Sequence, residues 1–330
     1  MKFLALLLLL PCAAAAQLVN PLLPSGPDPY VCYKDGYYYY TNTLGSRVDL
    51  WKTRDLKDLK TAQRVTIFKP EPGKPYSRDV WAPEVMFLRG KWYAYVAADD
   101  GNNDHHRIFV LENANPDPMQ GAWTFKGEVA NDDNKWAIDA DVIDYKGRLY
   151  MAWSGWEGDT NGEQDIYIAR MSNPWTIEGQ RVRISRPTYS WETHGDLKGP
   201  PGHLNVNEGP QFLIHKDRVF IVFSASACWT DHYALGLLSL SGHHLLDAGR
   251  WHKSPEPVFT GDTAVHVYAP GHNSFYKDGQ GRDWLLYHAN NAPDLGCGGR
   301  RSPRAQPFTW NADGTPDFGR PVAEGPLANP

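Results

Sequence analysis

With 330 residues, 42% of them hydrophobic and 13% aromatic, the chain can bury a substantial core in two ordinary domains or in one large all-β domain. A formal net charge of −5 and the lack of a basic stripe exclude nucleic acid and anionic membrane as partners and point to an uncharged one. No segment is long and apolar enough to span a bilayer.

Residues 1–16 read MKFLALLLLLPCAAAA: one Lys, a Leu-rich run and small residues at Ala14 and Ala16, the pattern of a signal peptide cleaved before Gln17. Residues 17–330 are therefore expected as an exported chain, secreted or periplasmic. Processing leaves Cys32, Cys228 and Cys297, an odd set that allows at most one bridge and is no disulfide framework.

Five segments of the mature chain then begin alike. Their openers are Asp28-Pro29-Tyr30-Val31, Ala82-Pro83-Glu84-Val85, Asp139-Ala140-Asp141-Val142, Glu208-Gly209-Pro210-Gln211 and Gly271-His272-Asn273-Ser274, spaced by roughly 54 to 70 residues. A hairpin-type turn follows each: Lys34-Asp35-Gly36, Arg89-Gly90, Lys146-Gly147, Lys216-Asp217 and Lys277-Asp278-Gly279. After the turns come GYYYYTNT, KWYAYVAA, RLYMAWSG, RVFIVFSA and DWLLYHAN, continuous apolar or aromatic runs of the kind expected for strands covered on both faces. Third strands are legible as RIFVLE, DIYIARM and YALGLLSL, and no helical period competes.

Four-stranded units repeated five times predict an all-β, five-bladed β-propeller forming a single catalytic domain over residues 17–330. A β-sandwich with irregular loops is the competing all-β arrangement, and the repeated openers count against it. In a propeller the innermost strands line one channel, so the opener residues must converge. Asp28, Asp139 and Glu208 stand at or within one residue of the equivalent place in units one, three and four. An isolated carboxylate is ordinarily a solvated surface group. Here each begins an apolar inner strand, where an unpaired charge is costly, so three together imply catalysis or metal binding.

The openers Asp-Pro-Tyr-Val, Val80-Trp81-Ala82-Pro83-Glu84, Ile138-Asp139, Asn207-Glu208-Gly209-Pro210 and Pro270-Gly271-His272-Asn273-Ser274-Phe275 together resemble glycoside hydrolase family 43. The likeness extends over residues 20 to 322 and includes Arg304-Ala305-Gln306-Pro307-Phe308-Thr309-Trp310 near the end. It implies an inverting glycosidase in which Asp28 is the general base and Glu208 the general acid. Asp139 is then the third carboxylate, raising the pKa of the acid and orienting it. It further implies that Arg301 and Trp81 contact substrate, with Arg300 and Arg304 as competing arginines and packing between blades as the other role for Trp81. His272 is expected at the channel centre, near a structural calcium ion held through water; no organic cofactor is expected.

The leading expectation is an exo-acting α-L-arabinofuranosidase, a monomer acting on arabinan or arabinoxylan of plant cell walls. β-Xylosidase and endo-arabinanase are the alternatives within the family, and a lectin-like propeller that binds glycans without cutting them is the alternative outside it. The last repeat ends the chain, so no accessory carbohydrate-binding domain is expected. His105-His106 and His243-His244 read as solvated loop histidines, and Gly296-Cys297-Gly298-Gly299 reads as a loop with no phosphate-cradling context. The loops around Asn102–His106, Asp159–Glu163 and Ser190–Leu204 are expected to shape the mouth of the site.

Overall fold

The computed structural model describes residues 17–129 and 133–327, so the expected signal peptide at residues 1–16 lies outside the described residues. The repeats fold as antiparallel sheets arranged in a ring. Blade one comprises Tyr30–Lys34, Tyr37–Thr41, Val48–Thr53 and Gln63–Phe68, and blade two Arg78–Leu88, Lys91–Asp99, Arg107–Asn113 and Thr124–Glu128. Blade three comprises Ala137–Tyr145, Arg148–Trp156, Gln164–Asn173 and Thr176–Ser185, and blade four Asn207–His215, Arg218–Ala225, Ala234–Leu240 and Trp251–Lys253. Blade five has three strands, Tyr268–Lys277, Asp283–Asn290 and Ser302–Pro307. Helix among the described residues is limited to short 3-10 turns, and no helix there is long and apolar enough to cross a membrane.

The tight turns follow from local chemistry. Asp35-Gly36, Arg89-Gly90 and Lys146-Gly147 all have positive φ at both positions, the conformation that matches a two-residue hairpin to the twist of its strands. Blade five departs from the expected Lys277-Asp278-Gly279 turn. Its loop closes through Asp278 N–H to Arg282 O (3.1 Å) and Gly281 N–H to Asp278 O (2.9 Å), and Gly281, not Gly279, takes the left-handed conformation. The Asp278 side chain also accepts from the Arg282 amide (3.0 Å), which stabilises the longer loop.

The second strand of every blade is buried along nearly its whole length, because its two faces meet the two neighbouring blades. The apolar core is accordingly divided among the blade interfaces. Tyr39 and Trp92 meet between blades one and two, Tyr95 and Trp153 between two and three, and Ile168 and Phe223 between three and four. Phe220 and Tyr287 meet between blades four and five, and Tyr40 and Trp284 between five and one. A fully buried aromatic such as Trp92 or Phe223 contributes roughly 3 kcal/mol through area removed from water.

Blade five falls short of the four strands expected of it because the N-terminal segment covers its outer edge. Asn20 donates through Nδ2 to Ala305 O (2.9 Å) and accepts at Oδ1 from Ala305 N–H (2.9 Å). Leu22 N–H donates to Pro303 O (2.8 Å) and Gly26 N–H to Arg301 O (3.0 Å). Val19–Asn20 also pairs with Gly325–Pro326, so both ends of the described chain fasten the ring.

Candidate active site

The inner strands share a device that aims side chains across the channel. Blades two to five each break register near the start of the inner strand, at Trp81/Glu84, Ile138/Asp141, Glu208/Gln211 and Gly271/Ser274. The first residue of each break is left-handed: Ala82 (φ 42°), Asp139 (φ 57°), Gly209 (φ 56°) and His272 (φ 47°). Asp28 (φ 55°) takes the same conformation two residues before the inner strand of blade one. Positive φ at non-glycine residues costs free energy, and its recurrence at one level of the channel marks a place where geometry is held for function. Glu208 is the exception in position, because it precedes the left-handed residue and pairs with Ser224. Gly209 serves in its place, and a Cβ there would sit 3.3 Å from Nδ1 of His272.

Asp28 is buried and surrounded by nitrogen. Arg301 donates through Nη1 to its Oδ1 at 2.8 Å, and Nδ1 of His272 and of His288 lie 3.5 and 3.4 Å from the same oxygen. The Asp28 amide donates to His288 Nδ1 at 3.0 Å, which places the proton of the neutral ring on Nε2. Burial raises the carboxyl pKa, but Arg301 and then His272 outweigh it and hold Asp28 well below the usual carboxylate range. Burial lowers the His288 pKa to about 3 and also lowers that of His272, so both rings are neutral at physiological pH.

The other two carboxyl groups are pushed the opposite way. Burial raises Glu208 to about 7, against the hydrogen bond from Tyr233, whose hydroxyl donates to Oε1 at 2.8 Å. Burial, then Glu208, then Asp28 raise Asp139 well above the usual range. Oδ2 of Asp139 accepts the Gly209 amide at 3.0 Å, a bond that favours the charged form. Each member of this pair penalises a second charge beside it, so Asp139 and Glu208 retain a proton between them at a pH where Asp28 is ionised.

Trp81 is half-buried and lies over His106, ring centroids 4.1 Å apart, against Ala97, Trp136 and Trp156. His106 corrects the expectation of a solvated pair: its side chain is fully buried, with Nδ1 3.0 Å from Asp99, whereas His105 is exposed. His243 and His244 are exposed as expected. They line a cavity of about 590 Å³ with Tyr145, beside the end of the blade-three inner strand opposite Asp139, and none of the three carboxylates takes part in it. Among the described residues no three His, Cys, Asp or Glu side chains group as metal ligands. A calcium ion beside His272 would therefore draw its oxygens from backbone carbonyls, amide side chains and water, not from a cluster of carboxylates.

A model of glycosyl hydrolases family 43 matches residues 18–316. The chain belongs to this family. It is 39% identical over 326 residues to an extracellular exo-α-(1→5)-L-arabinofuranosidase of Streptomyces avermitilis, covering 96% of this chain and 66% of that protein. A protein of the same description from Streptomyces chartreusis is 38% identical, over 85% of this chain and 84% of its own length. The crystal structure of an α-L-arabinofuranosidase from Lactobacillus brevis superposes with a TM-score of 0.85 at 36% identity, covering 93% of this chain and 97% of that one.

This family 43 site uses residues that reading the openers alone missed. His288 is an ionisable residue inside the otherwise apolar run Trp284-Leu285-Leu286-Tyr287, a signal present in the sequence. Tyr233 opens the run YALGLLSL read as a third strand and stands one residue before that strand, Ala234–Leu240, but nothing in the run marked it as a partner of Glu208. Below the carboxylates, Glu84 accepts from Gln211 Nε2 (2.6 Å) and Asp141 accepts from the Phe212 amide (2.7 Å), a second polar level two residues further along the inner strands. Arg301, rather than Arg300 or Arg304, reaches Asp28; Arg304 is turned to Glu324. Cys228 and Cys297 form the one disulfide among the described residues, Cα atoms 5.2 Å apart, and Cys32 is unpaired.

Proposed function

We propose that the chain is an inverting, exo-acting α-L-arabinofuranosidase that removes terminal arabinofuranosyl residues from arabinan or arabinoxylan. The observation that carries this reading is the opposed surroundings of two buried carboxyl groups: Asp28 is paired with Arg301 at 2.8 Å, whereas Glu208 has the Tyr233 hydroxyl at 2.8 Å and is raised by burial. The names of the Streptomyces relatives supply the sugar and the exo mode.

In this mechanism Asp28 accepts a proton from water as the water oxygen attacks the anomeric carbon. Glu208 gives its proton to the glycosidic oxygen as the bond from that carbon breaks, and the sugar leaves with inverted configuration. Asp139 shares the retained proton with Glu208, and the Gly209 amide favours its anion, which lets the proton reside on the acid. Arg301 holds the base and contacts the substrate, and Trp81 presents a ring face toward the sugar. Calcium near His272 belongs to the proposal only as a water-held structural ion, and no chemical step passes through it. The chain acts as an exported monomer on plant cell-wall polysaccharide.

Proton NMR of the first product released from arabino-oligosaccharides tests the reading. Release of arabinose as the inverted anomer is expected. Release of the retained anomer overturns the mechanism, and turnover of xylo-oligosaccharides in preference overturns the sugar assignment.

A further inference from the structure

Arg301 grips the carboxylate of Asp28, but a general acid cannot be held in the same way. A guanidinium on the Glu208 carboxyl would keep it ionised, and an ionised acid has no proton to give. The acid must therefore be placed by contacts that do not touch its charge. Such contacts converge on Asn207, the residue before it. Ser154 donates through Oγ to the Asn207 carbonyl (2.9 Å), Ser185 donates through Oγ to Asn207 Oδ1 (2.7 Å), and Asn207 Nδ2 donates to Glu192 Oε1 (3.1 Å). All four residues are buried. Ser154 pairs in register with Ile138, directly before Asp139, and the Gly209 amide bonds Asp139, so the same cluster fixes the spacing of the two carboxyl groups.

The source of this grip is a charge the reaction itself does not use. Glu192 closes the short turn Ser190–Glu192 in a loop expected to shape the mouth, yet its side chain points into the protein and is fully buried. Every neighbour of its carboxylate is a donor. The amides of Thr188 and Tyr189 each reach Oε2 at 2.8 Å, Lys253 Nζ lies 2.8 Å from both oxygens, and Asn207 Nδ2 takes Oε1. A buried carboxylate persists only when its charge is paired and its lone pairs are filled, and both conditions are met here. Hydrogen bonds to an ionised acceptor are roughly twice as strong as neutral ones, which makes Glu192 a firm anchor for Asn207. The turn is fixed from its other side by Ser226, which donates through Oγ to Trp191 O (2.7 Å), and by Trp191 Nε1, which donates to Pro255 O (2.9 Å).

We infer that Glu192, paired with Lys253 and acting through Asn207, is the positioning residue of the general acid. Asn207 passes on the fixed place of a buried ion pair while keeping a cation off the Glu208 carboxyl. The inference rests on the assignment of Glu208 as the acid and adds to it what aims that acid at the glycosidic oxygen. Misplacement of a reacting group by about 1 Å costs on the order of 100-fold in rate. A nitrophenolate departs with little protonation, so an error in the aim of the acid falls on a sugar leaving group and largely spares an aryl one.

The experiment compares kcat on α-1,5-arabinotriose with kcat on 4-nitrophenyl α-L-arabinofuranoside for wild type, Glu208→Ala, Asn207→Ala and Glu192→Gln. Glu192→Gln keeps the size of the side chain but must aim its NH₂ at groups that are themselves donors. Both Asn207→Ala and Glu192→Gln are expected to lose at least roughly tenfold more on arabinotriose than on the aryl substrate. The fraction of folded enzyme cancels in that ratio, so a loss of stability alone does not move it; if one variant yields no folded protein, the other decides. A selective loss in Glu208→Ala with equal losses, or none, in either positioning variant overturns the role of Glu192 and leaves the acid standing. Equal losses on both substrates in Glu208→Ala overturn the acid and its positioning together.

Discussion

At the residue scale the site works through two opposite treatments of carboxyl groups that are buried alike. Asp28 has three nitrogen-bearing neighbours, and Glu208 has a hydroxyl and a second carboxyl group. Asp28→Ala should lower turnover of every substrate by about 10²–10⁴-fold or more, since it removes the group that activates water. Glu208→Ala should be comparably damaging on arabino-oligosaccharides and milder on nitrophenyl arabinofuranoside, whose leaving group needs little protonation; steady-state kinetics on the two substrates checks both. Tyr233 donates to the Glu208 carboxylate, so it stabilises the charged form. Tyr233→Phe should therefore raise the pKa of the acid and move the alkaline limb of the pH–rate profile, set in wild type at about 7, to higher pH. The acidic limb belongs to Asp28, whose depressed pKa keeps the base ionised well into the acid range, so that limb should stay in place in the variant.

At the scale of elements, the left-handed residue at each register break turns a side chain out of the regular pleat and toward the axis. The loops above the strands then supply partners: Arg301 from the loop before the third strand of blade five, and Tyr233 from the corresponding loop of blade four. The Cys228–Cys297 bridge ties those two loops together across a sequence separation of 69 residues. The double variant Cys228→Ser/Cys297→Ser should lose about 2–4 kcal/mol of stability in chemical denaturation. His106 shows why a loop histidine cannot be judged from its neighbours in the chain. His105 next to it faces solvent, but His106 turns inward because Asp99 and the Trp81 ring complete a pocket contributed by other strands.

At the scale of the molecule, a ring of blades must be closed, and closure here joins residues almost 300 positions apart. The Asn20 amide makes both hydrogen bonds that the Ala305 backbone can offer at the outer edge of blade five, with a sequence separation of 285. Asn20→Ala leaves that buried N–H and C=O without partners and should cost about 1–3 kcal/mol for each. Thermal unfolding should begin at a lower temperature, with hydrogen exchange faster first in Ser302–Pro307. If the ends contributed nothing to closure, exchange there would match wild type.

Much of this protein was determined by its sequence alone. Five apolar second strands, each after a hairpin turn, admit few arrangements besides stacked blades, because a strand covered on both faces needs a neighbour on each side. The carboxylates Asp28, Asp139 and Glu208 stood out because they begin such strands, where an unpartnered charge is not tolerated. What only the tertiary structure decided depends on contacts between distant segments. These include the Tyr233 and His288 partners of Glu208 and Asp28, the choice of Arg301 over Arg300 and Arg304, the burial of His106, and the N-terminal cover on blade five. Local propensity and periodicity act over a few residues. Hydrogen bonds and ion pairs are set by where side chains meet in space, so partners 25 to 285 residues apart leave no pattern along the chain.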